Sequence, residues 1–297
     1  MRHQRSIWSL LFSAFAASAF SAPAHALNDV SWVSGTGDDA NTCGRTDPCA
    51  SFTGALGKTA INGEIRCLDA GNFGLVSINK SITIDCHDVP AVVQANQVCF
   101  VILTNVAGDP SQTVKIRGVT CDGHGAPATL GVQILAAAAV YLEDMVITDI
   151  ATQGVLDQRR HGGVLFIENS VIRNNGGPGI VAATIGGPYG ASIDNVHSNR
   201  NGFGIAVASG NNVRINRSEF SDNGVGIEVD PGGQVGIDGS VISFNGTGLQ
   251  SNGTMSFSDS DITFNSQAIS GPTFSFGNNR IFGNSTPGTT PTPAGLQ

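Results

Sequence analysis

The sequence predicts an all-β chain: a single-stranded right-handed parallel β-helix of about ten coils with a short N-terminal capping helix. Three observations carry that expectation. The first is composition. The 297 residues include 39 glycines and 23 asparagines, residue types that turn the chain often. Charged residues make up 13% of the chain and hydrophobic ones 40%. That excludes a coiled coil, and it gives enough apolar mass to exclude a disordered chain. The second is a repeat. Gly179-Ile180-Val181 leads to Asn201, Gly204-Ile205-Ala206 to Asn223, Gly226-Ile227-Glu228 to Asn245, Gly248-Leu249 to Asn265 and Ala268-Ile269 to Asn284. The third is alternation within the unit. Val213, Ile215 and Phe220 match Val235, Ile237 and Ile242, then Met255, Phe257 and Ile262. Period-two alternation is that of short strands with one face buried.

The terminal asparagines step by 22, 22, 20 and 19 residues. That is too short for a propeller blade. A leucine-rich repeat needs recurring leucines, and residues 160–284 hold only Leu165 and Leu249. Stacked coils remain. Like side chains then lie over like, and Ile147, Ile172, His197, Phe220, Ile242, Ile262 and Ile281 are read as one inward stack. Asn175, Asn201, Asn223, Asn245, Asn265 and Asn284 form a corner ladder, whose amides hydrogen-bond along the axis and whose backbone suits a left-handed bend. At about 4.8 Å per coil, residues 63–284 make a rod about 48 Å long.

The remaining segments follow from the N-terminus. Residues 1–26 read as a secretory leader: Arg2, His3 and Arg5, an apolar run from Ile7 to Phe20, and Ala24-His25-Ala26 as the cleavage site. The expected location is therefore secreted or periplasmic, with no membrane span after cleavage. Residues 27–62 form an N-terminal extension and cap. Ser51 caps a short helix with Phe52, Ala55 and Leu56 on one face, closing the open end of the solenoid. Residues 285–297 are rich in Pro, Thr and Gly and read as a disordered tail. No C-terminal capping helix is visible. The six cysteines lie between Cys43 and Cys121 without a CxxC, which favours disulfides over zinc. Cys67 and Cys99 read as equivalent strands one coil apart, as do Cys86 and Cys121. The expected bridges are Cys67–Cys99, Cys86–Cys121 and a local Cys43–Cys49.

The stretch Trp32-Val33-Ser34-Gly35-Thr36-Gly37-Asp38-Asp39-Ala40-Asn41, with Cys43, Pro48-Cys49, Gly63-Glu64-Ile65, Leu68-Asp69-Ala70-Gly71 and Ile78-Asn79-Lys80-Ser81-Ile82-Thr83-Ile84, resembles the N-terminal region of exported bacterial right-handed β-helix repeat proteins. These resemble the pectate-lyase-like superfamily in fold. That superfamily holds lyases, glycosidases, epimerases, adhesins and proteins without known activity, so the resemblance fixes no chemistry. Its galacturonan hydrolases carry paired aspartates and a Gly-His-Gly. Here Asp122 precedes Gly123-His124-Gly125, but the accompanying Asn-Thr-Asp and Arg-Ile-Lys are missing. A turn is the plainer reading of His124. Asp38-Asp39 falls in the extension, off the coils.

Candidate catalytic residues are the insertion Asp157-Gln158-Arg159-Arg160-His161, read as a rim, and the outward pair Glu228 and Asp230. Gln133, Gln158 and Gln250 are read as outward neighbours. Calcium, the one cofactor considered, enters only under a lyase reading. Asp157 and Glu228 lie three coils or about 14 Å apart, too far to share an ion. Otherwise no cofactor or metal is expected. Arg200, Arg214 and Arg217 could take an acidic glycan, or pair with Glu219, Asp222 and Asp194. The net charge of −8 with three lysines argues against nucleic acid. The function expected is a noncatalytic module binding a polysaccharide or cell-surface glycan. The alternative is a lyase or glycoside hydrolase acting on an acidic polysaccharide. Mature Trp32 and two tyrosines offer little aromatic surface for sugars. Oligomeric state is not readable.

Overall fold

A computed structural model describes residues 26–94, 96–124 and 129–295. Residues 1–25 of the expected leader lie outside the described residues. The chain winds into three parallel sheets of twelve, ten and ten strands, here sheets 1, 2 and 3. Each coil crosses sheet 1, then sheet 2, then sheet 3. Coil one starts with the strand Thr59–Cys67 and coil ten with Phe274–Ser275. Strand Asn28–Val33 precedes coil one in sheet 1, and Thr292–Pro293 follows coil ten. Residues 286–293, expected to be disordered, therefore continue the winding: Thr286–Gly288 pairs with Gln267–Ser270, and Thr292–Pro293 with Phe274–Ser275. A Pro-rich strand can be an edge strand, since an edge needs fewer N–H donors.

The inward row of sheet 1 runs Ile65, Ile84, Ile116, Leu142, Ile167, Ile193, Ile215, Ile237 and Phe257, each aligned with the next. All are buried, as period-two alternation requires. The repeat glycines have a different task from the one composition suggests. Gly204 has no left-handed backbone; a Cβ there would lie 2.5 Å from the Gly226 carbonyl oxygen. It admits the next coil rather than a turn.

The asparagine ladder is present. The Asn201 N–H donates to Asn223 Oδ1 at 2.9 Å and the Asn223 N–H to Asn245 Oδ1 at 2.9 Å. The rungs continue from Asn175 to Asn201, Asn245 to Asn265 and Asn265 to Asn284. The left-handed residue is the one before each asparagine, not the asparagine itself: Asn174, Arg200, Asp222, Phe244, Phe264 and Gly283 have φ between 55° and 74°. At the other corner a serine ladder does similar work. Ser218 N donates to Ser240 Oγ at 3.1 Å and Ser240 N to Ser260 Oγ at 3.2 Å, while each hydroxyl donates to a carbonyl two residues earlier.

His197 does not join the inward stack. Ile172 aligns with Ser198, which is fully buried and donates to the Gly204 carbonyl at 2.9 Å. His197 faces out beside Glu219, 3.2 Å away. The coil between Asn175 and Asn201 is 26 residues long, and a one-residue slip exchanges the two faces of a strand.

At the N-terminal end a helix, α1 (Phe52–Lys58), covers the core with Phe52, Ala55 and Leu56. Ser51 Oγ accepts from Gly54 N at 3.0 Å. Asp39 Oδ1 in turn accepts from Ala50 N and Ser51 N, both at 2.9 Å. Asp39 of the extension is thus built into the cap. The disulfides are Cys43–Cys49, Cys67–Cys86 and Cys99–Cys121, with Cα separations of 4.7, 4.9 and 6.0 Å. The local bridge matches expectation; the pairings Cys67–Cys99 and Cys86–Cys121 do not. Arg66 aligns with Asp85, which sets Cys67 against Cys86 at a separation of 19 residues, one coil. Cys99 lies in sheet 3 and Cys121 in sheet 2, so theirs is a bridge between sheets.

Candidate functional site

The expected rim of residues 157–161 divides. Val155 faces the core, and period two brings Asp157 inward as well, in the row Ile134, Asp157, Ala182, Val207. Asp157 and Arg159 are 0% and 1% exposed. The Arg159 Nε and Nη2 atoms donate to the two Asp157 carboxylate oxygens at 2.9 and 2.6 Å, and Nη1 donates to the Ala137 carbonyl at 2.9 Å. The guanidinium also lies 5.6 Å from the Tyr189 ring centroid. Burial pushes the Tyr189 phenol well above its ordinary range. These charges are a closed internal pair, not a rim. Arg160 and His161 alone remain exposed on the loop.

Glu228 and Asp230 do face outward on sheet 3. Glu228 accepts from Gln250 Nε2 at 2.7 Å. Burial, and then the Asp230 charge, hold its carboxyl above the usual range. Its neighbours in the row are Ala206 and Gln250, which bring no second acid or base to it. His124 is exposed, with its N–H on Asp122 Oδ1 at 2.8 Å, a turn contact. Arg217 pairs with Asp194, Arg200 stands exposed at a corner, and Arg214 donates to Asn216 Oδ1 at 2.9 Å.

Sheet 1 carries most of the outward chemistry. One row runs Asp85, Arg117, Glu143, Glu168, Asp194 and on to Asp238. Arg117 reaches both Asp85 (3.3 Å) and Glu143 (2.7 Å), a network spanning three coils. The next row brings Lys115 over Tyr141 at 5.1 Å, and Tyr141 stacks on Phe166 at 4.8 Å. Beyond Phe166 the row narrows to Ser192, Arg214, Gly236 and Ser256. The small side chains leave an open groove of about 630 Å³, lined among others by Asn212, Arg214, Gln234, Asp238, Ser256 and Phe276. Of these, the sequence offers Arg214 alone as a ligand contact. The signal was available in the strand starts Asn212-Val213-Arg214, Gln234-Val235-Gly236 and Thr254-Met255-Ser256, whose outer residues stack.

Near the cap, His87 is held above the ordinary histidine range, first by its 2.6 Å hydrogen bond to Asp85 and then by the charges of Asp85 and Asp88. The protonated ring favours the folded state. That contribution is complete below the unfolded value, about 6.5, and is lost as pH rises through the folded value. In an NMR titration His87 is expected to titrate above pH 6.5, and Asp85→Asn to bring it down. An unchanged midpoint in that variant would refute the pairing.

Among the described residues no three His, Cys, Asp or Glu side chains gather to hold a metal ion. Among them also, no helix is long and apolar enough to cross a membrane. A family model of the right handed beta helix region matches residues 130–290. No curated protein matches the chain significantly. Solved structures similar to it include XylC in complex with xylose, at 10% identity and TM-score 0.65, covering 83% of this chain and 68% of that one. A rhamnogalacturonan lyase is 12% identical with TM-score 0.53, covering 82% and 74%. Pectate lyase Pel9A is 16% identical with TM-score 0.49, covering 86% and 73%. At such identities the first two likenesses show the shared fold alone.

Proposed function

The chain belongs to the right-handed β-helix family, and we propose that it is an exported, noncatalytic glycan-binding module that takes its ligand in the sheet 1 groove around Gly236. One observation carries this reading. The groove presents neutral hydrogen-bonding side chains on successive coils (Asn212, Gln234, Thr254, Ser256, Ser258), with Arg214 and Asp238 as its charged groups and half-exposed Phe276 as an apolar wall. Neutral donors and acceptors beside an aromatic ring suit a hydroxyl-rich, weakly charged ligand. The coil step of about 4.8 Å lets one chain of sugars meet the same kind of contact repeatedly. A neighbour of this fold has been solved with xylose, which makes xylohexaose the first probe. Three disulfides and the leader-like residues 1–26 support export to the periplasm or beyond.

The groove can be filled without disturbing the coil. A Cβ at Gly236 meets only Ser256 Oγ, at 3.9 Å. Gly236→Trp is expected to weaken xylohexaose binding at least about tenfold in calorimetry, with an unchanged melting curve. Undiminished binding would place the ligand elsewhere. The second reading, cleavage of an acidic polysaccharide, rests on Glu228, whose raised carboxyl has the character of a proton donor. Calcium belongs to this reading only. It uses sheet 3 rather than sheet 1. A reducing-end and unsaturated-product assay on polygalacturonate, with Glu228→Gln as control, tests it.

A further inference from the structure

Two phenylalanines occupy a position that disfavours them. At the corner between sheets 2 and 3, coils four to seven place Asp149, Asn174, Arg200 and Asp222 in the left-handed conformation, and coil ten places Gly283 there. Coils eight and nine use Phe244 (φ 59°) and Phe264 (φ 58°). A bulky side chain is strained in that region, where asparagine and glycine are not. Nor does burial compensate, since Phe244 is 60% and Phe264 54% exposed. Phe282, adjacent on coil ten, is 76% exposed. Together they leave roughly 400 Å² of aromatic surface open, the size of the largest apolar patch on a typical monomer, which is often functional.

We propose that this corner is a self-association surface, on which Phe244, Phe264 and Phe282 of one copy pack against the same residues of a second copy. Ring geometry favours an apolar protein contact over a sugar. Phe244 and Phe264 stack on each other with centroids 5.4 Å apart, and the Phe264 ring lies against Gly283, so the faces of Phe264 are occupied and a sugar ring has no free face there to stack on. Charge selects the second copy. The chain is acidic overall, at −8, yet this corner carries no charge over coils eight to ten. The nearby Asp261 and Arg280 neutralise each other, and Asp259 sits at the opposite corner of its coil. A two-fold axis through coil nine sets Phe264 against Phe264, and Phe244 of each copy against the Gly283 coil of the other. Uncharged corner then meets uncharged corner, so two chains of net charge −8 pack without bringing like charges into contact. The area is that of a weak, reversible pair rather than an obligate dimer.

The test uses the full chain. Sedimentation or light scattering from roughly 10 to 500 µM is expected to show a monomer becoming a dimer. Phe244→Asn/Phe264→Asn should weaken that association at least about tenfold. It should also melt at or above the wild type, because asparagine accepts the left-handed backbone. A wild type monomeric throughout would overturn the proposal, as would a double variant that still dimerises. A double variant melting well below the wild type would make the rings packing elements of the coil, and it too would overturn the proposal. So would a monomeric wild type that xylohexaose engages through these rings.

Discussion

Asp157→Ala is expected to lower the unfolding free energy by about 4 kcal/mol, because it strands a buried guanidinium. Arg159 would keep one acceptor, the Ala137 carbonyl, and the face of Tyr189. It has no path to water, since it is 1% exposed, and a Cβ on Gly163 would already lie 2.5 Å from its Nη1. The pair itself contributes far less than its loss suggests, because both charges are desolvated. Asp157→Val/Arg159→Met is therefore expected to return to within about 1 kcal/mol of the wild type, or above it. Urea midpoints of the three proteins measure this. A single variant losing less than about 1 kcal/mol would contradict the buried pair.

The second large effect belongs to the asparagine ladder, and it should depend on position. Asn223→Ala removes the acceptor of the Asn201 N–H, the donor to Asn245 Oδ1 and the donor to the Ser198 carbonyl. These groups lie in the interior, and leaving them unpaired is expected to cost about 3 kcal/mol. Asn284→Ala breaks the same kind of contacts with Asn265 and Ile262 on the half-buried coil ten, where water replaces part of what is lost. About 1 kcal/mol is expected there. Equal losses at the two positions would contradict a ladder whose strength comes from burial.

Much of the fold could be read because stacking puts like residues at one position of every coil. The Asn ladder, the isoleucine rows and the cap helix with Phe52, Ala55 and Leu56 all repeat or segregate visibly. The serine ladder did not show, since Ser218, Ser240 and Ser260 are spread among many other serines. A coil longer than its neighbours shifts the pattern by one residue, so Ser198 and not His197 follows Ile172 in the inward row. Two of the three cysteine pairs follow coil length rather than strand likeness: Cys67 and Cys86 are separated by one coil. Charge usually means exposure, which suggests a rim at Asp157 and Arg159, but the alternation that begins at Val155 turns Asp157 inward. The groove was hidden for a physical reason. It is made of small neutral residues that mean nothing singly and become a surface only when coils are set in register.

The most direct measurement of the central claim is an NMR titration of the full, isotope-labelled chain with xylohexaose and with oligogalacturonate, while reducing ends and unsaturated products are followed in the same samples. A sheet 1 binding module predicts saturable shifts centred on Asn212, Gln234, Gly236 and Ser256, with the sugar chain intact. Shifts centred on Glu228 and Asp230 of sheet 3, or release of new chain ends, would contradict it.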